Sequence, residues 1–248
     1  MAHPSVAILT VVRNDLAGLK ATVTAVQSLT YPNWSHHIQD GASTDGTPGW
    51  LAQAGLPRTT WVSAPDSGLY DAMNRALHTA EADFVWFLNA GDLPASPEVL
   101  DRAFAHWRGE DIVYGDTELI DTEGRPLGLR RHKRLPRQLR RGHLRLGMVV
   151  GHQSLLVRRS LAPDYDTRYR IAADIDWTIR LLTRTRRTLN AQCALSRFET
   201  GGVSSQRHRA SLWERWQILR RHFGLPLAAL SHLEIALRAV GRKLGLPV

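Results

Sequence analysis

Cysteine is nearly missing from this chain: Cys193 is the one thiol in 248 residues. A lone thiol cannot form an internal bridge, so a disulfide-stapled scaffold is excluded and a reducing compartment is expected. Long apolar runs are missing too. The longest uncharged apolar stretch, residues 146–157, contains His152 and Gln153 and falls short of the roughly 18 residues a spanning helix needs. The opening MAHPSVAILTVV has no basic region and no small-residue cleavage pattern, so it reads as a strand and not as an export signal. Acidic residues are absent from 124–163, a stretch that carries eleven Arg and Lys. With 43% hydrophobic and 22% charged residues, disordered and collagen-like classes are excluded. The length suits one domain, or one domain with a short appendage.

What is present is a net charge of +9 with an uneven distribution. Most acids precede Glu123, and after Gly201 eight Arg and Lys stand against Glu214 and Glu234. A basic surface suits an anionic partner such as nucleic acid, lipid head groups or a phosphate-bearing substrate, or is simply a solvated face.

Apolar patterning divides the first part of the chain into alternating elements. Strands are expected at 6–12, 36–39, 59–63, 83–88 and 111–114. Helices are expected after Asn14 or Asp15 (Leu16, Leu19, Val23, Val26), from Thr47-Pro48 to about 55, around Leu69, Met73, Ala76, Leu77 and Ala80, and from Ser96 to about 107. Alternation over about 115 residues calls for a mostly parallel sheet with helices on both faces. It stops after Asp116. A hairpin turn is expected at 121–124, strands at 152–157 and 189–195, and a helix at 172–182 with Ile175, Ile179 and Leu182 on one face. Two helical stripes end the chain: Leu212, Trp216, Leu219 and Phe223, then Leu230, Leu233, Leu237 and Val240. The expected division is a domain over 1–205 and a basic amphipathic helical tail over 206–248.

In parallel sheets ligands bind at the carboxyl ends of the strands, and four polar clusters lie there. Asp40-Gly41-Ala42-Ser43-Thr44-Asp45-Gly46 offers a carboxylate that can accept a uracil imide N–H or ribose hydroxyls, beside glycines that let a ligand approach; an Asx turn accounts for it as well. Asn89-Ala90-Gly91-Asp92 offers one carboxylate for Mg²⁺ or Mn²⁺, with diphosphate oxygens completing the shell; a plain strand-to-loop turn is the alternative. Arg13 and Asp66 stand at the ends of the first and third strands. Asp174 and Asp176 open a later helix, either as charges favoured by the helix dipole or with one acting as a general base.

The blocks Thr10-Val11-Val12-Arg13-Asn14, Asp40 to Thr47, Asp66-Ser67-Gly68-Leu69-Tyr70-Asp71-Ala72-Met73-Asn74 and Phe87-Leu88-Asn89-Ala90-Gly91-Asp92 together resemble family 2 glycosyltransferases of the GT-A fold. The exopolysaccharide and colanic-acid branch is the most similar. The resemblance continues through His152-Gln153-Ser154, Ala173-Asp174-Ile175-Asp176 and Gly201-Gly202-Val203-Ser204, about residues 5–205. It implies a Rossmann-like GT-A domain with a short helical tail, and an inverting, metal-dependent hexosyltransferase using a nucleotide-sugar donor, UDP-linked by expectation. Thr10 and Asp40 match positions that contact the nucleoside. Gly41 and Ser43 belong to the same strand-end turn. Asp66, Asp71 and Asn74 match the segment lining the nucleotide pocket. Asn89, Gly91 and Asp92 occupy the place of the family's metal motif, with Asp92 as the ligand. Asp174 matches the expected base. Arg13 stands where the family often has an aromatic residue, and can stack on the base or pair with phosphate. Asn89 replaces the motif's first Asp, and Ala173 replaces a Glu.

The expected acceptor is a glycan or a lipid-linked carrier, and the expected location is cytoplasmic, peripheral on the inner face of the cell membrane. The basic segment 125–145 faces membrane or acceptor on this reading. Trp213 and Trp216, beside arginine, suit either a membrane surface or packing against the domain. His152 reads as a packed histidine at a strand start, and His208 as a weaker candidate for the metal. The competing enzyme class is a nucleotidyltransferase, which needs a glycine-rich basic loop after the first strand; only Arg13 is on offer there. A non-enzymatic nucleic-acid binder fits the charge but lacks a recognition motif, so no nucleic-acid partner is expected.

Overall fold

A computed structural model of the chain describes residues 3–121, 123–129, 135–199 and 208–243. Thr122, the basic residues 130–134, and the Gly201 to Ser204 motif lie outside the described residues, as does the side chain of His208.

The first strand, β1 (Val6–Val12), is buried along its whole length, as its unbroken apolar run predicts. Helix α1 (Leu16–Gln27) starts from Asp15, whose carboxylate accepts the Gly18 N–H at 2.9 Å. It buries Leu19, Val23 and Val26, while Leu16 is only half-buried. The helix stops at Gln27, well before Pro32. Strand β2 (Trp34–Asp40) follows, then α2 (Thr47–Gln53). The cap of α2 is Gly46, with φ 94°, and not Thr47, which is already helical and gives its hydroxyl to Asp45. Strand β3 (Thr59–Ser63), helix α3 (Leu69–His78) and strand β4 (Phe84–Phe87) complete the alternating part.

These four strands lie in the order β3-β2-β1-β4 and all pair in parallel. Their register puts Val12 opposite Asp40 and Asp40 opposite Ser63. The polar strand ends are therefore lined up along one edge.

Beyond β4 the expected mostly parallel sheet becomes mixed. A two-residue strand, β5 (Leu93–Pro94), escapes the sequence reading. Then come α4 (Val99–Phe104), β6 (Ile112–Ile120), β7 (Pro126–Leu129), β8 (Leu155–Arg158), α5 (Ala173–Arg184) and β9 (Thr188–Glu199). The order continues β4-β8-β6-β9-β5, with β7 on β6. Strand β8 is antiparallel to both β4 and β6, and β6 runs parallel to β9. No α-helix joins β6 to β8 among the described residues, so the crossover that enforces parallel pairing is missing there. The expected hairpin at 121–124 joins β6 to β7, with Gly124 at φ 77° returning its N–H to the Asp121 carbonyl. The strand expected from 152 begins at Leu155, because His152–Ser154 form a single 3₁₀ turn. Strands β6 and β9 run longer than expected, and Gly115 lets them close: a Cβ there would collide with the Cys193 carbonyl.

Two helices end the described chain, α6 (His208–Phe223) and α7 (Leu225–Lys243), divided at Gly224 with φ 82°. Alternate residues of β1 feed the two sides of the sheet. Ala7, Leu9 and Val11 pack with residues of α3 and α5 and with Ile218 of α6. Val6 and Ile8 pack with Val26 and with Val99, Leu100 and Ala103 of α4. On α7 three residues of the expected stripe point outward: Leu230, Leu233 and Leu237 are 63%, 57% and 62% exposed, while Ala228 and Ser231 are buried; the side chain of Val240 lies outside those described.

Candidate functional site

The end of β1 is flanked by two loops. The Gly41 N–H donates to the Val12 carbonyl at 2.9 Å, and the Ala90 N–H donates to the Val11 carbonyl at 3.1 Å. One loop brings the β2 cluster and the other the β4 cluster to adjacent residues of the central strand.

In the first cluster, Asp40 is fully buried. Its carboxylate accepts the Ser43 N–H at 3.1 Å and the hydroxyls of Ser43 and Ser63. The Asn14 N–H donates to the Ser43 hydroxyl at 2.7 Å, and the Thr44 N–H donates to the Asn14 side chain at 2.8 Å. Asn14 and Ala42 hold φ of 52° and 54°, the left-handed region that alanine rarely adopts. Strain of this kind costs on the order of 1 kcal/mol and concentrates at binding sites. Gly41 is required by the neighbouring strand end, since a Cβ there would collide with the Asp66 carboxylate. Asp66 accepts the Gly68 N–H at 2.9 Å and lies 4.0 Å from the exposed Arg13 guanidinium.

In the second cluster, Asp92 is buried, with 8% of the residue exposed. It accepts the Asn89 N–H at 3.2 Å and the Gln153 amide at 3.3 Å. Burial outweighs these two bonds and lifts its pKa to about 7. Gly91, at φ 89°, and the Asp92 carbonyl are both tied to the Thr22 hydroxyl, which fixes the loop on α1. The Asn89 Oδ1 is buried and has no hydrogen-bond partner. A carboxylate whose charge is disfavoured by burial, next to an unpartnered amide oxygen, is an oxygen donor set that suits Mg²⁺ or Mn²⁺ completed by phosphate and water. Among the described residues no group of three or more His, Cys, Asp or Glu side chains gathers as a self-sufficient metal site.

Three of the expected nucleotide residues turn their polar groups to the protein itself. Thr10 is fully buried; its hydroxyl donates to the Leu88 carbonyl at 2.7 Å and lies 2.9 Å from His36. Asp71 accepts the Ser67 N–H and pairs with Arg75, both at 2.9 Å, which holds the start of α3. Asn74 clasps the main chain of Tyr165, donating to its carbonyl at 3.0 Å and accepting its N–H at 2.6 Å.

Asp174 lies half-buried in the first turn of α5. Its charge acts on the Tyr70 phenol and on the Arg215 guanidinium. The Tyr70 hydroxyl donates to the Ile171 carbonyl at 2.9 Å, and burial, aided by Asp174, pushes that phenol upward. Tyr70 follows Gly68, whose N–H Asp66 holds, so α3 connects the Asp174 end of α5 to the first cluster. Asp176 differs from Asp174: fully buried, it pairs with Arg180 at 2.6 Å and His222 at 2.7 Å. Burial alone would raise its carboxyl, but those two partners outweigh it and hold the carboxyl low. His152 bonds the Tyr165 hydroxyl at 2.5 Å and packs between Phe87 and Trp177; burial drives its imidazole down to about 4. It is a packed histidine.

Gln153, Ser63, Tyr70 and Arg215 join the expected residues at these clusters. Gln153 follows His152 within a motif quoted for its resemblance, so a signal existed. Ser63 is legible only once the register of β3 against β2 is known. No local pattern points to Arg215.

Trp213 and Trp216 part company: Trp213 is 62% exposed, while Trp216 packs edge-on against His232 at 5.1 Å.

Residues 7–163 match the sequence model of the family described as Glycosyl transferase family 2. An uncharacterised glycosyltransferase of Mycobacterium tuberculosis strain H37Rv is 30% identical over 241 residues, covering 92% of this chain and 89% of that protein. A PGL/p-HBAD biosynthesis glycosyltransferase of Mycobacterium bovis strain BCG is 32% identical over 191 residues, covering 73% and 70%. The fold is that of known glycosyltransferase structures. S. aureus TarS 1–349 in complex with UDP-GlcNAc superposes with a TM-score of 0.65 at 16% identity, covering 92% of this chain and 66% of that one. The mannosyltransferase PcManGT from Pyrobaculum calidifontis, in complex with GDP-Man and Mn²⁺, gives 0.61 at 18% identity, covering 98% and 81%.

Proposed function

The chain belongs to glycosyl transferase family 2, and on that footing we propose that it moves a hexose from a UDP-sugar to a hydroxyl of a glycan or lipid-linked acceptor, with inversion at the anomeric carbon, in the manner of the exopolysaccharide branch. The observation that carries this reading is the pair of loops bonded to Val11 and Val12, which set Asp40, Asp66 and Arg13 on one side of β1 and Asn89 and Asp92 on the other. Arg13, Asp40, Gly41, Ser43 and Asp66 form the nucleoside end. Thr10, Asp71 and Asn74 shape it through the contacts they make within the protein. Asp92, with the Asn89 amide oxygen and the backbone turn at Gly91, holds the divalent cation. That cation, when bound, offsets the charge that develops on the departing diphosphate. Asp174 accepts the proton of the incoming hydroxyl, from a helix turn linked to the donor side through Tyr70. TarS with UDP-GlcNAc and PcManGT with GDP-Man and Mn²⁺ support a nucleotide-sugar donor and a cation.

The test is a thermal-shift screen of UDP, GDP and their sugars with and without Mn²⁺. Stabilisation by a UDP-sugar that grows with Mn²⁺ is expected. Stabilisation by none of them removes the donor reading, and a preference for GDP-sugars corrects the base.

A cytoplasmic location against the inner membrane face follows from an anionic lipid-linked acceptor. No described helix is long and apolar enough to cross a membrane. The outward leucines of α7 and the exposed Trp213 are an apolar surface that supports contact with a lipid bilayer.

A further inference from the structure

We propose that Glu214 is a positioning residue for Asp174, so that α6 completes the reaction site; the inference rests on the reading of Asp174 as the base. The Glu214 carboxylate accepts three consecutive main-chain N–H groups, those of Arg170 at 2.8 Å, Ile171 at 2.9 Å and Ala172 at 2.8 Å. These residues form the turn that enters α5, and Ala172, at the cap position, makes no capping bond of its own. A carboxylate gripped by successive N–H groups makes charge-assisted bonds that fix the local backbone. Asp174 lies two residues beyond that turn, so its place is set by the geometry Glu214 holds.

The rest of α6 reinforces the grip. Arg215 donates to the Leu146 carbonyl at 3.2 Å and lies against Gly147, where a Cβ would collide with the guanidinium; its charge also acts on Asp174. About two turns after Glu214, His222 bonds Asp176 at 2.7 Å. Helix α6 is thus tied to the turn before Asp174 and to the residue two beyond it. Without Glu214 three N–H groups lose their acceptor and the entry turn relaxes. A displacement of about 1 Å at a reacting group costs up to about a hundredfold in rate.

The test uses the full chain with Mn²⁺ and follows UDP release from UDP-glucose, UDP-galactose and UDP-N-acetylglucosamine in turn, with water in place of the acceptor hydroxyl taking the sugar and giving its proton to Asp174. Glu214→Ala should lower kcat about ten- to a hundredfold and leave the donor KM within about twofold. Glu214→Gln, which retains one acceptor oxygen, should recover part of the loss and serves as the readout if the alanine variant does not fold. In an Asp174→Asn background, Glu214→Ala should change kcat by less than about twofold, because the group it positions is already gone. Arg158→Ala, which removes the ion pair from β8 to Asp111 and touches neither α5 nor α6, is the matched control: its Tm should fall while kcat holds. Equal kcat losses from Glu214→Ala in both backgrounds, or a loss matched by Arg158→Ala at equal Tm, reduce Glu214 to a structural cap and overturn the inference alone. Full turnover in Asp174→Asn overturns the assignment of the base and this inference with it.

Discussion

The two sides of the sheet hold their polar groups by different means. On the β3-β2-β1-β4 side the acids are met mainly by neighbours in sequence: Asp40 by Ser43, Asp66 by Gly68, Asp71 by Ser67 and Arg75, and Asp92 by Asn89. Around α5 and α6 local pairs such as Asp176 with Arg180 are joined by partners far apart in sequence: Glu214 with residues 170–172, His222 with Asp176, Arg221 with Asp166 and Arg215 with Leu146. Contacts of the first kind form whenever a strand ends in its turn. Contacts of the second kind exist only in the assembled fold. The donor side is therefore expected to withstand damage to the C-terminal helices, and the Asp174 side is not.

The largest effect separates the sides by chemistry. Asp174→Asn should lower turnover by about 10²- to 10⁴-fold, the range of a lost general base, while stabilisation by UDP is unchanged. Unchanged turnover puts the base elsewhere; lost UDP stabilisation makes Asp174 part of donor binding and erases the contrast.

Next in size is the cation site. Burial raises Asp92 to about 7, so between about pH 4 and 7 the folded protein keeps a proton that the unfolded chain releases. Metal-free stability should therefore fall as pH rises through that window, by on the order of a few kcal/mol. A cation needs the carboxylate form, so the Tm gain from Mn²⁺ with UDP should be small near pH 6 and grow toward pH 8. Asp92→Asn should abolish that gain and raise the metal-free Tm near pH 8. A gain that is flat with pH detaches Asp92 from the cation.

The same division decides what could be read from the sequence. Strands 6–12 and 59–63 are found at their expected bounds, and the helix around Ile175, Ile179 and Leu182 buries the expected face. Their apolar periods are local and strong. The donor-side clusters were legible for the same reason: strand-end turns advertise themselves through Gly, Asp, Ser and Asn. Helix position alone does not distinguish Asp174 from Asp176; the family resemblance points to Asp174, and the fold shows what occupies Asp176, because its partner His222 is 46 residues away. Thr10, which the family resemblance puts at the nucleoside, turns its hydroxyl into the sheet, since β1 is buried on both sides at that level. β5 was invisible because two residues carry no period. The stripe of Leu230, Leu233 and Leu237 was correct as a period and silent about direction, for periodicity fixes a face without saying what covers it.

A smaller effect tests whether α6 belongs to the domain or trails it as the tail expected from residue 206. Ile218 is fully buried in the cluster that contains Ile175 and Ile179. Ile218→Ala should cost roughly 2–5 kcal/mol in a urea melt and shift one cooperative transition. A separate early transition, with UDP stabilisation surviving it, makes the last helices an independent unit.

The smallest effect on stability belongs to α7, and it sharpens the comparison most. Leu230, Leu233 and Leu237 are spaced three and four apart and share one face, and all are more than half exposed. Nothing is lost from the core when they become serine, so each substitution should change stability by less than about 0.5 kcal/mol. Their effect should appear only at a lipid surface. After Gly201 eight Arg and Lys stand against Glu214 and Glu234, so this end of the sequence carries an excess of basic charge that suits anionic lipid. The protein should co-sediment with phosphatidylglycerol vesicles at low salt, bind phosphatidylcholine vesicles weakly, and lose phosphatidylglycerol binding when all three leucines are serine. Binding that survives the triple substitution leaves charge alone to hold the surface. A triple variant that unfolds shows that the stripe is covered in the native protein, by a second copy or by chain that folds over it, and moves α7 to the same side of the comparison as α6.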